Sequence, residues 1–134
     1  MTDNEFAERF ADCTLPPAEF NHRGHVRIAW INLQRLPFDE AVRVTCEGIR
    51  TYATSLGASA KFHWTITEAL MHLLRAGGAS DRSIPFDRFL GNNAALLADA
   101  RGRIAVHYTE ALLATDSARS AFVAPDLAPL PPEP

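Results

Sequence analysis

Cysteine is scarce in this chain: only Cys13 and Cys46 occur, without CxxC spacing. Reduced thiols and a cytoplasmic setting are expected from that usage. Long apolar runs are missing as well. No segment approaches the roughly 18 apolar residues a membrane-spanning helix needs, so no membrane partner is expected. The N-terminus, MTDNEFAERF, is acidic where a signal peptide is basic, and no apolar core follows it. Positive charge is thin, with a formal net charge of −3, which argues against the basic stripe of a nucleic-acid binder. Arg23, Arg27 and Arg35 make one helix locally basic, and a solvated face accounts for them. There is no alternating strand pattern, no internal repeat, no nucleophile elbow, no phosphate-cradling glycine loop and no dinucleotide fingerprint.

What is present is a helical period in a chain of 134 residues, 47% of them hydrophobic, enough for one domain with a sizeable core. An all-α helical bundle is expected over residues 1–124, with a Pro-rich tail over 125–134. A first helix over 3–11 carries Phe6 and Phe10 at i,i+4 and stops before Pro16-Pro17. Asn21 is placed to cap a second helix that Pro37 stops. The third runs from Phe38 to Leu56, with Phe38, Val42, Cys46, Ile49, Ala53 and Leu56 on one face and Gly57 as its C-terminal cap. A fourth spans about Ala60 to Ala76 and ends at Gly77-Gly78. Shorter helices follow: one opened by Pro85, one capped by Asn93 over 94–100, one capped by Thr109, and a last turn capped by Asp116 or Ser117. The tail, PDLAPLPPEP, is expected to lie along the surface or hang free.

The histidines carry the chemistry. On a helical wheel, Val26, Ala29, Trp30, Leu33 and Leu36 share an arc of the second helix, with His22 near its centre and His25 at its edge. In the fourth helix His63 falls among Phe62, Ile66, Ala69, Leu70, Leu73 and Leu74. His72 lands on the polar face with Thr65, Glu68 and Arg75, able to pair with Glu68. Three inward imidazoles, two of them one turn apart, suit a divalent metal (zinc, iron or manganese) with an open coordination position. Asn32, Thr67 and Tyr52 are available as outer-sphere partners. The competing reading makes these histidines hydrogen-bonded core groups or helix caps, since HxxH alone is a weak motif. His107 and Tyr108, ahead of the Thr109 cap, are candidates for a further ligand, a general acid or a pocket wall. Trp30, Trp64 and Tyr52 could wall a small-molecule site, and Cys46 reads as an inert buried thiol.

The segments FNHRGHVRIAW, KFHWTIT, HYTEALL and FVAPDLAPLPP together resemble a family of small helical bacterial proteins without an assigned function, over about Phe20 to Pro132. The resemblance implies that His22, His25 and His63 lie in shared segments, and it implies no activity. The functional expectations are therefore three. One is a three-histidine metal site, with or without metal-dependent catalysis on a small molecule. Another is a binding or interaction module with structural histidines. The third is metal-free acid–base chemistry by a histidine of shifted pKa.

Overall fold

The computed structural model describes all 134 residues, and every regular element is helical. Nine α-helices occur: α1 (Asp3–Ala11), α2 (His22–Arg35), α3 (Phe38–Ser55), α4 (Trp64–Ala76), α5 (Phe86–Asn92), α6 (Ala94–Ala98), α7 (Ala100–Ile104), α8 (Glu110–Leu113) and α9 (Asp116–Ser120). They gather into two compact units, Met1–Phe62 and His63–Pro134. No helix is long and apolar enough to cross a membrane.

The first unit is built from three helices with local stop signals. Thr2 accepts the Glu5 N–H at 3.1 Å to open α1, and Phe6 and Phe10 bury its inner face. Full burial of a phenylalanine contributes about 1.5–3 kcal/mol. At the end of α1 the Arg9 carbonyl takes the Thr14 N–H at 2.8 Å, and Cys13 turns the chain with φ 58°. Glycine is the usual residue in that left-handed position. Asn21 caps α2 by accepting the Gly24 N–H at 3.0 Å, as expected. Leu36 is extended (φ −123°, ψ 153°), the conformation a following proline imposes. Gly57, with φ 68°, ends α3 and lets the Ala58 N–H reach the Ala53 carbonyl at 2.8 Å.

Helix α2 buries more than its expected arc. Val26, Ala29 and Leu33 are inside, and so are Ile28, Ile31 and Asn32, because α1 and α3 both pack on it. The buried Asn32 amide donates to Thr45 Oγ1 of α3 at 2.9 Å. Leu56, assigned to the inner face of α3, is 48% exposed because the helix ends just before it. Gly48 lets α1 approach α3: a Cβ there would come 2.6 Å from Phe10 Cε2.

The second unit wraps short helices and the tail around α4. Ala69, Ile104, Tyr108 and Leu113 form a buried cluster, flanked by Leu70, Val123 and Leu130. Four expectations change here. The fourth helix begins at Trp64 and not Ala60, because a separate turn over Ser59–Lys61 precedes it. The expected helix over 94–100 is broken at Asp99 (φ −146°, ψ 61°), whose carboxylate caps α7 through the Gly102 N–H. Asn93 does not cap α6; its amide donates to the Gly77 and Phe89 carbonyls at 3.0 and 2.9 Å. Thr115, not Asp116 or Ser117, caps α9 through the Ala118 N–H.

Thr65, assigned to the polar face of α4, is fully buried. Its hydroxyl donates to the Ala121 carbonyl at 2.9 Å and accepts the Val123 N–H at 3.2 Å. The tail is tied down as well. The N–H groups of Leu127 and Ala128 donate to the carbonyls of His107 and Val106, and Asp126 accepts from the Thr109 N–H and hydroxyl at 2.9 and 2.6 Å.

Candidate functional site

The three expected metal ligands occupy different settings. His22 and His25 belong to the first unit and His63 to the second. No group of three or more His, Cys, Asp or Glu side chains is arranged to hold a metal ion.

His22 is exposed, where an inward position is expected from the wheel. It is the first residue of α2, and a wheel describes a helix covered along its whole length, which this end is not.

His63 is buried, but as the N-cap of α4 and not as a member of its apolar stripe. Its Nδ1 accepts the Ile66 N–H at 3.1 Å, filling the role usually taken by Ser, Thr, Asp or Asn. Its Nε2 lies 2.7 Å from the Leu113 carbonyl. A carbonyl only accepts, so Nε2 carries the proton and the ring is the neutral Nε2–H tautomer. Both nitrogens are thereby committed within the second unit, and no lone pair is left for a metal. The proposed outer-sphere groups are committed too. Asn32 bonds Thr45, the Tyr52 hydroxyl donates to the Leu15 carbonyl at 2.6 Å, and the Thr67 hydroxyl donates to the His63 carbonyl at 2.8 Å.

His25 differs from both. It is half-buried and its ring makes no hydrogen bond to protein. Phe20 stacks on it with centroids 4.0 Å apart and planes 29° apart. Phe20 also meets Tyr52 edge-on at 4.8 Å and Phe10 at 5.2 Å. The stack requires Gly24, because a Cβ at that position would strike the Glu19 carbonyl in the turn that delivers Phe20. Burial, and secondarily the neighbouring His22, push the His25 pKa down to about 4. The imidazole is therefore neutral near pH 7, with one donor and one acceptor nitrogen. Burial and then Cys13 push the Tyr52 phenol up, so it stays protonated and tied to Leu15.

His25, Phe20, Tyr52, Ile49, Leu56 and Phe62 line a cavity of about 220 Å³, with the exposed Lys61 at its mouth. An apolar cavity of about 150 Å³ holds benzene, so this one has room for a single substituted ring. Its walls are apolar and aromatic, with few polar groups, the usual make-up of a small-molecule site.

In the second unit, Tyr108 is buried and its hydroxyl donates to the Val123 carbonyl at 2.6 Å. Burial, then Glu68 and Asp126, push it up to about 12, which makes it a structural phenol and a poor general acid. His107 is half-buried and lines a cavity of about 420 Å³. Its Nδ1 donates to the Ala128 carbonyl at 2.9 Å, and Nε2 has no protein partner. His72 sits 4.0 Å from Glu68, the expected i,i+4 pair, with Phe122 stacked nearby at 6.2 Å. Cys46 is buried and forms no disulfide. Sequence reasoning missed Phe20, Phe62 and Lys61 as site residues, since Phe62 read as helix core and Phe20 lies outside α2. It also missed Arg103, because α7 ends at Ile104 and His107 lies in the turn beyond it, so no helical spacing links the two. No family model matches this chain, and no curated protein or solved structure matches it either.

Proposed function

We propose that this chain is a ligand-binding module, not a metal enzyme, and that its first unit accepts one small aromatic ring bearing a hydrogen-bonding substituent. The observation that carries this reading is His25: a half-buried, neutral imidazole with no protein hydrogen bond, lining an aromatic cavity of about 220 Å³. The ring nitrogens of His25 stay reachable by solvent, so a ligand that pairs with one gains the net worth of a single hydrogen bond, about 0.5–1.5 kcal/mol. Phe20, Tyr52 and Phe62 offer ring faces and edges for the apolar part. His22 and His63 have other duties, one solvated and one capping α4.

Phenol is the probe that tests it. Titrated into isotopically labelled protein, phenol should give saturable NMR shifts at Phe20, His25, Ile49 and Tyr52, with the weak affinity of a fragment-sized ligand. His25→Phe should weaken phenol about fivefold to tenfold, the worth of one hydrogen bond, while toluene binding holds or improves. Absence of saturable shifts at these residues, or equal phenol binding by His25→Phe, overturns the proposal. So does stoichiometric zinc, iron or manganese that is lost on His22→Ala or His63→Ala.

A further inference from the structure

The larger cavity, about 420 Å³, lies wholly within the second unit, and its chemistry is of a different kind. Two of its lining residues are Arg103 and His107, four apart, and none is acidic. Arg103 is exposed and engaged in no ion pair, leaving an uncompensated guanidinium at the opening. Several carbonyls at the end of α4 beside the cavity are already taken. The Leu73 carbonyl accepts from the Gly77 N–H, that of Leu74 from Gly77 and Ala79, that of Arg75 from Gly78, and that of Gly77 from the Asn93 amide.

His107 defines the second recognition element. The Ala128 carbonyl fixes a proton on Nδ1, which leaves Nε2 as the ring nitrogen available to a ligand. The same stretch of tail that supplies Ala128 continues into Pro129 and Pro131, which line the cavity together with Leu73 and Leu96. A carboxylate suits the Arg103 guanidinium, and Nε2 offers one further hydrogen bond. A ligand with a carboxylate and an adjacent hydroxyl satisfies both at once.

We infer that this cavity is a second ligand site, for a small hydroxycarboxylate with an aliphatic body. The carboxylate takes the Arg103 guanidinium, the hydroxyl donates to His107 Nε2, and the carbon chain packs on Leu73, Leu96 and Pro129. Arginine suits the first contact because its planar fork matches two carboxylate oxygens. The site is separate from the aromatic cavity at His25 and stands or falls independently of it.

The test compares 2-hydroxyhexanoate with hexanoate by NMR titration and calorimetry on the intact chain. The hydroxy acid should bind about fivefold to tenfold more tightly than hexanoate, with shifts at Arg103, His107 and Leu96. Arg103→Gln should weaken both acids, by about threefold to tenfold given its exposure. His107→Asn keeps an N–H able to hold the Ala128 carbonyl while removing Nε2, so it should erase the preference between the acids and leave hexanoate unchanged. Circular dichroism and the tail amide signals of Leu127 and Ala128 check that this variant keeps its fold. No binding of either acid at this cavity overturns the inference. Equal binding of the two acids, or a preference that survives His107→Asn with the tail in place, overturns it as well.

Discussion

The two units solve the same problem, burying helices, by opposite means. In the first, three helices of 9, 14 and 18 residues bury periodic apolar faces, and an aromatic group of Phe10, Phe20 and Tyr52 fills their junction. In the second, one 13-residue helix is surrounded by helices of four to seven residues, too short to be stable alone. Polar side chains reaching distant backbone hold these pieces: His63 to Leu113, Thr65 to Ala121 and Val123, Tyr108 to Val123, Asp126 to Thr109. Long periodic helices store their fold in hydrophobic spacing. Short ones store it in individual hydrogen bonds.

The contrast can be broken most forcefully by Phe10→Ala. Phe10 is 4% exposed and contacts both Phe20 and Tyr52, so its loss should destabilise the chain by about 3–5 kcal/mol in urea unfolding. The same change should raise hydrogen exchange first among α1–α3 amides. A loss below about 1 kcal/mol would mean the aromatic junction is not what holds the first unit.

Acid probes the same unit next. The His25 pKa is about 4 when folded and 6.5 in an unfolded chain, so between those values the unfolded state binds more protons. The stability tied to this group is complete above pH 6.5 and is lost as pH falls toward 4. The loss is at most about 3 kcal/mol, less whatever solvent reaches the half-buried ring. His25→Leu should flatten the stability profile in that window, and an unchanged slope would show that His25 does not govern it.

The finest discrimination falls on His63. Removing both bonds with His63→Ala should cost about 2 kcal/mol, one part for the cap and one for the Leu113 bond. His63→Asn retains a good cap yet is too short to reach Leu113, so it should recover about half of that loss. If Asn and Ala behave alike in thermal and urea unfolding, the residue does not act as a cap.

The same contrast explains what could be read from the residues alone. Helices α1 to α3 were legible because their signals are local: Asn21 before a periodic run, Pro37 after it, Gly57 at the next end. The start of α4 was not, because histidine is an uncommon cap and its second bond goes 50 residues away. Thr65 read as polar surface for a similar reason, since nothing near it in sequence announces that Ala121 and Val123 will cover it. For the site, His25 was expected as an inward metal ligand and is half-buried, while its partner Phe20 needed the turn at Pro17–Glu19 to bring it over the ring. His22 failed because helical phase specifies a direction and not whether anything lies there.

The bonds at Thr65 also carry an entropic cost of closure. They join positions 56 and 58 residues apart, whereas Asn32 and Thr45 are separated by 13. Closing a longer loop costs more chain entropy before any contact rewards it, and folding rates fall as such separations grow. The hydroxyl of Thr65 therefore closes one of the longest loops in the second unit, and its two bonds carry a larger entropic cost of closure than the Asn32–Thr45 bond.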